Sequence, residues 1–363
     1  MITKDNFHQI YNNIGFNNVV VENSLYDVFC FVMNNLFERS NKNPSVFANE
    51  NVVLDYVLQE HMYQLLYKEE KDIEEKFKDD DFLQQFVKIV SDKVYFNELS
   101  PYRSVNLISP HSPVISTLDI NINFILDRLS ELHKEYQEDD VMINMFSKAF
   151  LMFKSINYLL ANGFETEAFS TWRTIHELEC VIILLNKYPY VNERYLRHII
   201  YNTAFRDEFD DKEAQQATID DLKFHMKSRG YKSKDMKKFI EYGWIYAIEN
   251  VENDYPQLKL NFRNGLELIA GLERYSKDYE MSSEVAHSSP LLIYSNKNFF
   301  KGITVVRSYE SFLRLEEIFY NYLKTHEKVD SQGYETMRIT YNQFARRILM
   351  IENKLFVESI VNK

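Results

Sequence analysis

The sequence predicts an all-α protein: an N-terminal helical domain followed by a larger helical bundle built on a long antiparallel helical hairpin. Three observations carry that expectation. Only 8 Gly and 7 Pro punctuate 363 residues, too few for an all-β fold, which needs a turn about every ten residues. Apolar residues recur at three- and four-residue spacing, as in Leu25, Val28, Phe29, Val32 and Leu36, the stripe of an amphipathic helix. Hydrophobic residues make up 45% of the chain and aromatic residues 15%, ample surface to bury, which argues against disorder.

The elements follow in order. Residues 1–99 read as the N-terminal helical domain, with Val52, Val53, Tyr56, Val57, Met62, Leu65 and Leu66 continuing the helical pattern. The run from Lys68 to Lys76 alternates in charge and reads as a solvated helix face rather than a binding tail. Residues 100–116 hold Pro101, Pro110 and Pro113, three of the seven prolines, and read as a linker that no helix crosses. The bundle is expected over 117–330. A helix at 117–136 precedes one at 141–160, which Asn162-Gly163 stops. Phe164 then opens a long helix ending before Pro189, so the two form the hairpin. Further helices are expected at about 191–209, 211–228, 233–250, 261–289 and 297–325. The segment 331–363, helical over 333–357, is expected to cap the bundle.

Charge and composition exclude several classes. A net charge of −12 and a pI near 5.3 disfavour broad binding to DNA or other phosphate backbones. A local basic groove remains compatible with that average. The segment from Lys223 to Lys238 is such a basic stretch and reads first as a solvated loop, second as a phosphate contact. Cys30 and Cys180 stand far apart without a CxxC, so neither a disulfide framework nor a cysteine zinc site is expected. No apolar run approaches the eighteen or so residues of a membrane span, and the first residues lack the order of a signal peptide. A cytoplasmic location without membrane association is the expectation. There is no HExxH, Walker loop, GxGxxG or GxSxG. The histidines are scattered, and the acidic runs 79–81 and 139–140 read as turns or helix N-caps, so no metal and no cofactor are expected.

Two places offer chemistry. Arg173 and Glu177 lie four residues apart on the hairpin's second helix and share one face, beside Trp172. The plain reading is a structural ion pair; the functional one is a polar pocket floored by that pair. Between Arg274 and Ser288, His287 follows Ser283 by four residues and could project from the same face. An imidazole there suits general acid–base work, although a His near a helix end is more often a cap.

The string from Leu159 to Glu177, then Tyr242-Gly243-Trp244-Ile245-Tyr246, then Tyr275 through His287, resembles the bacterial family DUF5677 over roughly residues 120–325. That resemblance implies a helical protein and no established chemistry. More distantly the chain is similar to HEPN proteins, helical bundles that include many toxin and antiphage ribonucleases. Their signature, an Arg followed by His after four to six residues, fits Arg128 and His133. What this implies is an antiphage-defence or toxin-like effector, possible as a metal-independent ribonuclease. Arg173, Glu177 and His287 would be catalytic, His287 activating a ribose 2′-hydroxyl and Arg173 stabilising the phosphorane. Trp244, Tyr246, Tyr275 and Ser283 would bind an RNA substrate. The alternative is a non-enzymatic helical sensor or regulatory interaction protein of a defence system. A protein partner, with a homodimer as the default, is expected in either case. Convergence separates the two: one open cleft holding Arg173, Glu177 and His287 favours the enzyme, and mutual burial disfavours it.

Overall fold

Caps and turn residues set the helix ends. The computed structural model describes residues 2–16, 18–40, 49–66, 70–99, 108, 112–136, 140–287, 290, 297–326 and 328–361. Among the described residues every regular element is helical and no strand is present, as the scarcity of Gly and Pro requires. The chain divides into two units, Met1–Val105 and Asn106–Lys363. The proline-containing stretch 100–116 lies mostly outside the described residues, but Pro113 opens a helix, where its missing N–H costs nothing.

The first unit contains α1 (Lys4–Asn13), α2 (Val19–Ser40), α3 (Glu50–Leu66), α4 (Glu70–Lys76) and α5 (Asp80–Val94). The stripe Leu25, Val28, Phe29, Val32 and Leu36 lies in its core with Phe7, Val53, Val57, Phe77 and Phe86. Asp79 caps α5 by accepting from the Asp81 amide at 3.0 Å.

The second unit is organised by five long helices: α6 (Pro113–Tyr136), α7 (Val141–Ala161), α8 (Glu165–Lys187), α14 (Lys297–Lys324) and α15 (Ser331–Val361). Each packs on the next in that order, and α15 returns to α6. Phe146, Phe150, Phe153, Trp172, Phe312 and Phe319 fill the interior. The hairpin turn has a covalent-geometry reason. Gly163 takes φ +76°, a left-handed conformation that costs a glycine little. The Phe164 amide then donates to the Leu159 carbonyl at 2.9 Å and the Gly163 amide to Leu160 at 3.3 Å, a Schellman closure of α7. At its other end Asp140 accepts from the Met142 and Ile143 amides at 2.8 and 3.2 Å.

Between α8 and α14 lie α9 (Asn192–Phe205), α10 (Lys212–Ser228), α11 (Met236–Tyr242), α12 (Val251–Asp254) and α13 (Ser276–Ala286). The expected helices at 233–250 and 261–289 are not continuous. The first becomes α11 and a 3-10 turn over Gly243–Ala247. The second becomes a π-turn over Phe262–Glu267, a 3-10 turn over Glu273–Tyr275 and α13. Asn250 and Gly271 sit at φ +57° and +72°, which a helix interior does not allow. A Cβ on Gly265 would stand 2.5 Å from the Lys259 carbonyl oxygen. Apolar spacing alone cannot register such breaks.

Candidate functional site

Arg173 and Glu177 meet as their spacing predicts. Their side chains pair at 3.1 Å, both partly exposed. Tyr279 of α13 completes the group: Arg173 donates to its hydroxyl at 3.2 Å, and that hydroxyl donates to Glu177 at 2.6 Å. The guanidinium also lies 5.1 Å over the Tyr279 ring. Burial and the Glu177 carboxylate raise the Tyr279 pKa, so at neutral pH its hydroxyl keeps the proton it donates. Tyr242 stands near enough to feel both charges, and burial with Glu241 and Glu177 pushes it up to about 12.

His287 does not join them. It is exposed just past the end of α13, where its amide donates to the Ser283 carbonyl at 3.1 Å. Eight residues separate it from Tyr279, about 12 Å of helix rise. The other two sequence-chosen residues of this region part company as well. Ser283 contributes that carbonyl, while Tyr275 is only 2% exposed, its hydroxyl accepting from Arg274 and Arg314 at 2.5 Å each. Tyr275 is a core strut. Arg128 and His133 are engaged separately, Arg128 with Glu131 at 2.6 Å and His133 with Ser147 at 3.2 Å.

Beneath the Arg173 group lies a buried charge network that sequence reading missed. His176, Glu179 and Glu267 are all fully buried. His176 Nε2 bonds Glu267 at 2.7 Å, and its Nδ1 lies 3.8 Å from Glu179. Arg314 of α14 takes Glu179 in a two-point bond, 2.5 Å from Nε and 3.1 Å from Nη2, and Ser276 donates to Glu267. Burial opposes the imidazolium, yet Glu179 and Glu267 together raise the His176 pKa. Burial likewise opposes the Glu179 carboxylate, and His176 with Arg314 overcomes it. Arg314 and the His176 ring thus stand against the Glu179 and Glu267 carboxyl groups, so each buried ionisable group here has a partner of opposite kind. Only His176 and Glu179 stand at a helical pair spacing; Glu267, Ser276 and Arg314 come from distant parts of the chain, so no sequence spacing announces them.

Trp244 and Tyr246 belong to a different place, an open cavity of about 500 Å³. One face of α9 supplies Arg194, Arg197, His198 and Tyr201, at the i, i+3, i+4, i+7 spacing that aligns side chains on a helix. His225 of α10 and Arg229, just past its end, also line it, together with Phe239, Ile240 and the 243–247 turn. Gly243 is required there, since a Cβ would meet the Phe239 ring at 2.8 Å. Arg229 lies 4.3 Å over the Tyr246 ring and bonds Glu252 at 2.9 Å. Trp244 packs edge-on to Tyr195 at 5.1 Å. Glu193 and Asp221 reach Arg197 and His225 from outside the lining, at 3.3 and 3.4 Å. The lining itself has three arginines, two histidines and no carboxylate. The part of the basic stretch 223–238 that faces this cavity is Arg229, with His225 beside it.

Among the described residues no group of three or more His, Cys, Asp or Glu is placed to hold a metal ion. No described helix is long and apolar enough to cross a membrane. Residues 139–302 match the model of a family of unknown function, DUF5677. This supports the resemblance read from the Leu159–Glu177, Tyr242–Tyr246 and Tyr275–His287 strings, over 139–302 rather than 120–325. The match encloses both the Arg173 group and the cavity. No curated protein and no solved structure matches the chain.

Proposed function

We propose that this chain is a non-enzymatic helical sensor that binds an anionic ligand in the 190–247 cavity and regulates a defence system. The observation that carries this reading is the cavity lining: three arginines, two histidines and no carboxylate, in a chain of net charge −12. Such a lining concentrates positive potential where the overall field is negative, and a concave wall focuses it. The cavity also has the size of a small-molecule site.

The ribonuclease reading, the first expectation from sequence, asked Arg173, Glu177 and His287 to converge on one open cleft. Arg173 and Glu177 are instead occupied with each other and with Tyr279, and His287 stands apart at the end of α13. A base remote from the cation that must stabilise the developing charge loses the alignment catalysis needs.

Growth on induction tests the choice. Cells making wild type, Arg173→Ala or His287→Ala are expected to grow equally, and the purified wild type to leave RNA intact. RNA cleavage by wild type that either substitution abolishes would overturn the sensor reading. In phage-challenged cells, protection is expected to fall with Arg194→Ala.

A further inference from the structure

We infer that the cavity ligand is a nucleoside phosphate, either a free nucleotide or the phosphorylated end of an oligonucleotide. This rests on the anion-binding reading above and names the chemistry it serves. The inference follows from how the two kinds of wall are divided. Arg194 and Arg197 stand one turn apart on the α9 face and Arg229 closes from just past the end of α10, three guanidiniums around one space, of which Arg197 and Arg229 are each also paired with one carboxylate outside the lining. Guanidinium forks match phosphate oxygens two at a time. Arg194 is exposed and makes no hydrogen bond or ion pair among the described residues, which leaves its fork open to a ligand.

A simple oxyanion would leave the rest of the wall unused. Tyr190, 55% exposed, presents open aromatic surface to the same space, backed by the buried Trp244 and by Tyr246, whose ring lies under Arg229. Aromatic faces stack nucleobases irrespective of base identity. The Tyr201 hydroxyl borders the same space but donates to Asp221 at 2.6 Å, so the arginines and not this hydroxyl supply the donors. A ligand that carries both a dianion and a flat ring matches both kinds of wall, the guanidiniums and the exposed Tyr190 ring. A nucleoside phosphate is the simplest biological molecule that does.

The test uses the full chain with five probes: AMP, UMP, adenosine, inorganic pyrophosphate and a short 5′-phosphorylated single-stranded RNA. Calorimetry gives affinity, and tryptophan fluorescence reports the cavity, because the chain has only two tryptophans and the other, Trp172, is fully buried in the core. The expected result is binding of a nucleotide or of the RNA end, with quenching of Trp244. Arg194→Ala should weaken it about ten-fold or more, whereas Arg263→Ala, a surface arginine outside the cavity, should not. Tyr190→Phe should retain binding and Tyr190→Ala should weaken it, with unfolding midpoints checking that each variant folds. Mononucleotides binding as tightly as the RNA identify a free nucleotide, and RNA alone binding identifies an oligonucleotide end; both support the inference. Pyrophosphate binding as tightly as AMP, with Arg194→Ala sensitivity and no effect of Tyr190→Ala, overturns the nucleoside class but leaves the anion site standing. Binding of none of the charged probes overturns both.

Discussion

His61 and His176 are both buried, yet they answer pH in opposite senses. His61 packs among Tyr11, Phe16 and Phe77, and burial lowers its pKa to about 4. A depressed folded value means the neutral ring is favoured, so its contribution is full above the unfolded pKa near 6.5 and is lost as pH falls toward 4. That loss amounts to about 3 kcal/mol. His176 is the reverse. Its folded pKa is raised by Glu179 and Glu267 against burial, so its contribution is full below about pH 6.5 and is lost as pH rises through the folded value. Replacing His61 with Phe should flatten the fall in stability of the N-terminal unit between pH 6.5 and 4. Denaturant melts at several pH values check this, and an unchanged slope would count against it. Sequence gives no sign of the difference, since each histidine sits in an apolar helical stretch and only its neighbours across the fold set its charge.

At the scale of elements, the hairpin shows what local chemistry can specify. Gly163 is needed for its left-handed φ of +76°, and the bonds from Gly163 and Phe164 to Leu160 and Leu159 depend on it. Gly163→Ala should therefore destabilise the protein by about 1–2 kcal/mol, read from the urea midpoint at constant slope. Asp79 and Asp140 likewise prove to be N-caps, the role that an acidic residue before an apolar run suggests. Segments 233–250 and 261–289 show the limit of the same reasoning. Their glycines were visible, but which of them break a helix depends on what approaches the backbone. Gly243 lies against the Phe239 ring four residues earlier and Gly265 against the Lys259 carbonyl six residues earlier, local contacts that depend on rotamer and turn geometry, which apolar spacing does not report.

For the molecule as a whole, the buried network joins α8, the 262–267 turn, α13 and α14 through His176, Glu179, Glu267, Ser276 and Arg314. Its worth lies in completeness. Glu179→Gln leaves the Arg314 charge without its two-point partner and should cost about 3–5 kcal/mol. Glu179→Met with Arg314→Met removes both charges and should recover much of that loss. A double-mutant cycle measures the coupling; purely additive losses would show that the pair acts independently.

Local pattern along the chain was enough to specify the helical class, the hairpin and its glycine stop, the apolar stripes of the cores, and the meeting of Arg173 with Glu177. Each depends on spacing within about four residues or on a cap, interactions that a chain makes with its own neighbours. Only the tertiary structure decided that Tyr279 completes the Arg173 pair, that His287 stands apart from it, and that Tyr275 is a strut. It alone gathered Arg194, Arg197, Arg229, Trp244 and Tyr246 around one cavity. Those residues belong to separate elements, and what brings them together is the burial of apolar faces, which fixes the polar side chains without regard to their distance along the chain.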